Sequence, residues 1–170
     1  MISQTELQFY TQHGPMTDPR RHQALFGALP RGLPALVETL QGLAVHIFWA
    51  ERLGLKLDEA RQSEVNLRAT WQKLDRLLEL DPAPLTQPRP LERQLVCNCR
   101  DFTVLIVSFL RSQGIPARIV VGFRGGEYNA LGGYYQVMQR HAHAWVEAYL
   151  PPDEARSESP PEADVSPLGG

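Results

Sequence analysis

The sequence predicts an α+β fold in which a helical N-terminal layer and one central helix pack on an antiparallel sheet. Apolar residues recur at steps of three and four up to about Asp81, which is typical of helices. A polar cap and an apolar helical stripe follow around Cys99. Alternating and β-branched segments then fill residues 118–150 and indicate strands.

Composition excludes several classes of protein. The 170 residues are 43% hydrophobic and 21% charged, with a net charge of -2, which favours one globular domain over coiled coil or disorder. Seventeen Lys and Arg against 19 Asp and Glu give no strong positive field, so we expect no nucleic-acid partner and no membrane partner. The first residues lack the pattern of a secretory signal, which predicts a cytoplasmic location with reduced thiols.

The N-terminal region, residues 1–81, is predicted to be helical throughout. Capping and breaking residues divide it into four helices, at about 5–13, 19–29, 34–53 and 58–78. His46 falls inside the third helix. We interpret it as a packed or hydrogen-bonded structural histidine, with a catalytic role as the alternative.

Two proline-rich segments flank the predicted core. Residues 82–95 form a predicted extended connector, because the run DPAPLTQPRP holds four prolines and cannot be helical. Residues 151–170 hold five prolines and five acidic residues, and burial there cannot offset the entropy of ordering. We therefore expect a core at 96–150 and a disordered tail after it.

The central helix has the clearest local signals in the sequence. Asn98 is the predicted N-cap, and Asp101 can reach back to the Asn98 amide as a capping box. Cys99 is then the first helical residue, and Gly114 with Pro116 ends the helix.

Three strands are predicted after this helix. They cover about 118–123, 134–139 and 142–150, with a wide glycine-rich loop at 125–133. Strict alternation in the last strand assigns its faces. One face carries His143, Trp145, Glu147 and Tyr149, and the other carries Ala144, Val146, Ala148 and Leu150.

A cysteine at a helix start and a histidine on a later strand are the groups that thiol catalysis requires. Backbone N–H groups and the positive end of the helix dipole favour the thiolate form of a cysteine such as Cys99. An imidazole such as His143 can then accept and return a proton. The alternative for Cys99 is a small apolar residue near the core. Cys97, outside the helix, is not the expected nucleophile.

A metal site is a further alternative. Cys97, Cys99, His141 and His143 are suitable ligand types, but a helix start separates the cysteines and the spacing is not that of a standard finger. We expect neither a metal nor a cofactor.

The segments NCRDFTVLIVSFLRSQGIPAR and HAWVEAYLP resemble the core of the transglutaminase-like superfamily, over about Val96–Leu150. The resemblance implies a papain-like fold with a Cys–His–Asp arrangement, in which Cys99 is the nucleophile and His143 the catalytic histidine. It also implies a cysteine-dependent acyltransferase or amidohydrolase, resembling cysteine proteases, that acts through a thioester on a protein or peptide amide.

The chain departs from the family pattern after the histidine strand. The family has a further strand with an Asp-Pro step, whereas here only Asp153 and Asp164 follow. Glu147 is four residues from His143, about 13 Å along a strand, which is too far for a hydrogen bond. The alternative function is therefore a catalytically impaired member that serves as an interaction module.

Different segments of the chain resemble two different subfamilies. GPMTDPRRH and the HIFWAERLG helix resemble small bacterial transglutaminase-like proteins with a helical N-terminal extension. The segment GFRGGEYNALGGYYQVMQRHAHAWVEAYLP resembles extracytoplasmic transglutaminase domains of bacterial membrane proteins. A recombined or engineered sequence would explain this mixture.

Overall fold

A computed structural model of the protein describes residues 3–150. The predicted disordered tail, with Asp153 and Asp164, lies outside the described residues. Across residues 3–150, no helix has the length and apolar character that a membrane crossing requires.

Short helices form the N-terminal layer. The α-helices are α1 (Gln4–Thr11), α2 (Leu33–Leu43), α3 (Ile47–Ala50), α4 (Glu59–Gln62) and α5 (Thr70–Leu80). 3-10 helices cover Arg20–Ala28, Glu51–Leu53 and Ser63–Asn66 in this layer, and Leu91–Arg93 after it. A strand, β1 (Ala44–His46), separates α2 from α3.

The prediction of one helix over residues 34–53 was wrong. The chain leaves α2 after Leu43 and forms β1, which pairs in parallel with β2 (Leu95–Cys97). Both strands are almost fully buried, so the run of apolar residues reflects burial on two faces rather than one helical stripe. His46 therefore lies at the end of a strand and not within a helix.

Two other predicted helices differ in detail. Residues 20–28 form a 3-10 helix instead of an α-helix. The predicted helix at 58–78 is interrupted, because the Gln72 side chain accepts hydrogen bonds from the amides of Arg68 and Ala69 at 3.0 and 2.9 Å and starts a new helix there. The ammonium of Lys73 also binds the carbonyl oxygens of Leu67 and Arg68.

The central helix, α6 (Cys99–Ser112), is confirmed from its first residue. The Asn98 side chain accepts from the Asp101 amide, and the Asp101 carboxylate accepts from the Asn98 amide. Gly114 has φ +75°, which is the left-handed backbone that ends a helix.

Two small antiparallel sheets follow α6. Strand β3 (Ala117–Phe123) pairs with β6 (Ala142–Ala148), and this register places Gly122 opposite His143. Strand β4 (Glu127–Asn129) pairs with β5 (Tyr134–Gln136). The loop predicted at 125–133 therefore contains a strand, and the strand predicted at 134–139 ends early and gives way to a 3-10 helix at Gln139–His141.

The main core lies between α2, α5, α6 and the β3–β6 sheet. Ala144 is buried and Val146 and Ala148 pack against the core, which confirms the predicted faces of β6. The result is the expected α+β fold, with a helical layer and a central helix packed on an antiparallel sheet.

Candidate functional site

Cys99 occupies the first position of α6, directly after the cap. Its side chain is half-buried and reduced, so it is not sealed among aliphatic groups. The amides of the first helical residues have no intrahelical acceptor, and they carry the positive end of the helix dipole. An anion that forms at this position is stabilised by both effects.

The start of α6 is fixed by a buried carboxylate. Asp101 is fully buried, and its Oδ1 lies 3.2 Å from the Lys73 ammonium, which is itself almost fully buried. Its Oδ2 accepts from the Asn98 amide at 3.0 Å. The Arg100 guanidinium adds a third contact at 2.9 Å. Asp101 therefore ties the cap of α6 to α5.

A second buried carboxylate fixes the strand that leads to Cys99. Glu64 is only 4% exposed and accepts a hydrogen bond of 2.8 Å from the Val96 amide. Its other oxygen binds the guanidinium of Arg76 at 2.8 Å. Sequence reasoning missed Glu64 and Lys73, because a charged residue on a helical pattern is normally solvent-exposed.

Cys97 has the opposite environment to Cys99. It is fully buried on β2, opposite His46 of β1. Burial raises the pKa of the Cys97 thiol well above its ordinary value, and the charge of Asp101 raises it further. Cys97 is thus held as a neutral core thiol.

His143 is the second residue of β6 and is half-buried. It lines a shallow cleft of about 350 Å³ with Phe123, Arg124 and Trp145. Opposite it, Gly122 leaves room for the Trp145 ring, since a Cβ at Gly122 would lie 3.1 Å from Trp145 Cη2.

Element lengths place His143 at the same end of α6 as Cys99. The Tyr149 amide donates to the carbonyl of Pro116, just beyond the C-terminal end of α6. Six steps of strand back to His143 cover about 20 Å. The fourteen residues of α6 also cover about 20 Å, back to Cys99.

His46 lies beside this end of α6. Its ring stacks on Phe102 with 6.2 Å between ring centroids, and Phe102 is one helical turn from Cys99. The Nδ1 atom accepts from the Phe48 amide at 3.3 Å. Burial lowers the pKa of His46, and the charge of His143 lowers it further. His46 is packed and hydrogen-bonded, as interpreted from sequence, yet it belongs to the candidate site.

Some of the side chains predicted to act together are not hydrogen-bonded to one another. Within residues 3–150 no hydrogen bond links the Cys99 thiol to an imidazole, and no carboxylate is hydrogen-bonded to the His143 ring. Glu147 instead pairs with Arg118 at 2.6 Å. The Nδ1 atom of His141 accepts from the Met138 amide at 3.1 Å. No group of three or more His, Cys, Asp or Glu side chains in this part of the chain could hold a metal.

A central helix that begins at a cysteine and packs on an antiparallel sheet defines the papain-like class of α+β folds. The sequence model of the transglutaminase-like superfamily matches residues 63–155, more than half of the chain. The protein belongs to the transglutaminase-like superfamily.

Curated relatives match a short part of the chain. A protein-glutamine gamma-glutamyltransferase of Pseudomonas aeruginosa is 42% identical over 69 residues, which are 41% of this chain and 10% of that protein. The uncharacterized protein YebA of Bacillus subtilis is 47% identical over 57 residues, 31% of this chain and 8% of that protein. The matched part is thus a tenth or less of each relative's length.

A solved structure has the same fold. The periplasmic domain of TgpA from Pseudomonas aeruginosa, bound to ethylmercury, matches with a TM-score of 0.52 and 24% identity. The match covers 88% of this chain and 46% of that one.

The prediction of a cytoplasmic location is contradicted by this match, because the structural relative is a periplasmic domain. That prediction came from the first residues and from composition, neither of which reports the compartment of the wider family. The segment that begins at GFRGGEYNALGG resembles extracytoplasmic domains, and this resemblance was the sequence signal for an extracytoplasmic location.

Proposed function

We propose that the protein is a cysteine-dependent acyltransferase or amidohydrolase that acts on a protein or peptide amide, with Cys99 as nucleophile and His143 as its acid–base partner. The observation that supports this most directly is the half-buried Cys99 at the capped start of α6. We also propose an extracytoplasmic location, following the structural relative.

The reaction begins when the Cys99 sulfur attacks the carbonyl carbon of a glutamine side-chain amide. His143 takes the thiol proton and then returns a proton to the departing nitrogen, so that ammonia leaves and a thioester remains on Cys99. The first amides of α6 stabilise the negative oxygen of the tetrahedral intermediate. A primary amine then attacks the thioester and gives a new amide, or water attacks and gives a carboxylic acid.

The helix start and the sheet supply different parts of this chemistry. Asp101 and Lys73 hold the first turn of α6 rigid, which keeps the nucleophile in one place. His143 is carried by β6, which packs along the same helix. Closure of the His143 ring onto the thiol is expected in the substrate complex, since catalytic hydrogen bonds are often long in free enzymes.

A transamidation assay tests the proposal. The protein is incubated with a glutamine peptide and a fluorescent primary amine, and the labelled peptide is quantified. We expect Cys99→Ala to abolish the product. Cys97→Ala is the matched control and should retain it, because Cys97 is buried away from solvent. Product formation by Cys99→Ala at the rate of the unchanged protein would overturn the assignment.

A second candidate is a non-catalytic interaction module. It is favoured by the lack, within residues 3–150, of any carboxylate hydrogen-bonded to His143, because such a group normally orients the imidazole. The exposed Tyr149 and Trp145, together with the loop at 125–133, would supply the contact surface. Alkylation by iodoacetamide separates the two functions: an interaction module predicts that Cys99 reacts no faster than a cysteine in an unfolded peptide.

A further inference from the structure

An apolar groove of about 580 Å³ runs between α2, α3 and α6. Its walls include Val37, Trp49, Leu53, Phe102 and Ile106, with His46 at one side. No Asp, Glu, Lys or Arg contributes to this lining in the described part of the chain. A volume of this size, with mostly apolar walls and few polar groups, is typical of sites that bind a ligand.

The groove and the thiol share one face of α6. Phe102, Thr103 and Ile106 all line the groove, and they follow Cys99 by three, four and seven residues. Residues at these spacings lie on the same side of a helix. The groove therefore begins one helical turn from the candidate nucleophile and continues along the same helix.

The groove wall is exposed in the free protein. Trp49 is 54% exposed and Leu53 is 60% exposed, although both are large apolar side chains. Apolar surface of this kind commonly marks a binding site. The Arg52 guanidinium lies 4.8 Å from the centre of the Trp49 ring, which places a positive charge at the rim.

The distance along α6 sets the position of the occupant. From Cys99 to Ile106 is seven residues, or about 10 Å of helix rise. An extended peptide covers about 10 Å in three residues. A peptide with its glutamine at Cys99 thus brings a side chain two or three positions away into the groove.

We infer that this groove binds an aromatic or large aliphatic side chain of the substrate peptide, two or three residues from the reactive glutamine. The inference rests on the proposed function, and it adds a sequence preference for the acyl donor. Three observations favour this occupant. The groove lies on the same face of α6 as Cys99, the distance from Cys99 to Ile106 matches three residues of extended peptide, and the groove walls carry no Asp, Glu, Lys or Arg.

Peptide binding to the Cys99→Ala protein tests the inference without any chemical step. Two glutamine peptides are compared by calorimetry. They are identical except that one has Phe and the other has Ser at the second and third positions on both sides of the glutamine. Burial of the Phe side chain should make its peptide bind about tenfold tighter or more. Leu53→Asp should remove this preference by placing a charge in the groove.

Leu131→Asp is the matched control, because Leu131 is fully exposed in the turn between β4 and β5, away from the groove. It should leave the preference unchanged. Equal affinity of the two peptides would overturn the inference. Self-association that Leu53→Asp abolishes, with no peptide preference, would overturn it in favour of a second copy as the occupant. A clear preference without transamidation by the unchanged protein would refute the proposed function and leave the groove assignment standing.

Discussion

On the two sides of the Asn98 cap, two cysteines separated by one residue have different environments. Cys97 is fully buried on a strand, whereas Cys99 is half-buried at the helix start. The difference follows from the backbone, because the chain changes from strand to helix at Asn98. Local sequence signals predicted this change, since the Asn98–Asp101 capping box needs only neighbouring residues.

His13 gives a prediction for pH dependence. Both ring nitrogens of His13 are shielded from solvent. Burial lowers the pKa of His13, so below about pH 6.5 the unfolded chain binds more protons than the folded chain. We expect the free energy of unfolding to decrease from pH 7.5 to pH 5.

Replacement of His13 by Phe removes this titration and should make the decrease smaller. Urea unfolding at several pH values measures it. The lowered pKa of His46 acts in the same direction, so part of the decrease should remain in His13→Phe. The same pH dependence with and without His13 would contradict the interpretation.

Between elements, the Lys73–Asp101 pair joins α5 to the start of α6. Neither residue could be recognised as buried from sequence, because the pairing depends on how two helices pack. We expect Lys73→Met to lower the free energy of unfolding by about 3 kcal/mol or more, since it leaves a buried carboxylate with fewer partners.

Arg118→Ala is the control for this prediction. The Arg118–Glu147 pair is about half exposed on the sheet surface. Its loss should cost at most about 1 kcal/mol. Chemical denaturation compares the two variants, and equal losses would contradict a structural role for the buried pair.

Gly122 gives a second prediction between elements. A methyl group at Gly122 would lie 3.1 Å from the Trp145 ring, so Gly122→Ala should displace that ring beside His143. We expect a shift in tryptophan emission and slower transamidation. Gly27→Ala is the control, because a Cβ at Gly27 meets no atom within 4 Å. Unchanged emission in Gly122→Ala would refute this packing.

Elements with local signals were predictable, and elements that depend on distant pairing were not. Helix α6 and strands β3 and β6 follow from caps and alternation. Strand β1 was wrongly predicted to be helical. Its parallel partner β2 lies about 50 residues away, so no local sequence pattern indicates the pairing. The prediction that His46 lies within a helix was wrong for the same reason.

At the scale of the whole molecule, the segment that matches the superfamily and the helices before it contribute different parts of the structure. The superfamily match spans residues 63–155, and the helices before it add α2 and α3, which form one wall of the groove. Cys99 and His143 are the site residues that the sequence predicts, and their catalytic roles stay predictions. The groove was not predicted, because it depends on how α2 and α3 pack beside α6.

Mass spectrometry of the acyl-enzyme tests the central claim most directly. The protein is mixed with a glutamine peptide without an amine and quenched in acid, and the modified residue is mapped. We predict a thioester on Cys99 that increases the mass of the protein by the mass of the peptide less ammonia. It should form about a hundredfold more slowly in His143→Ala. An adduct that forms equally fast in His143→Ala, or no adduct on a Cys99 that iodoacetamide still alkylates, would contradict it.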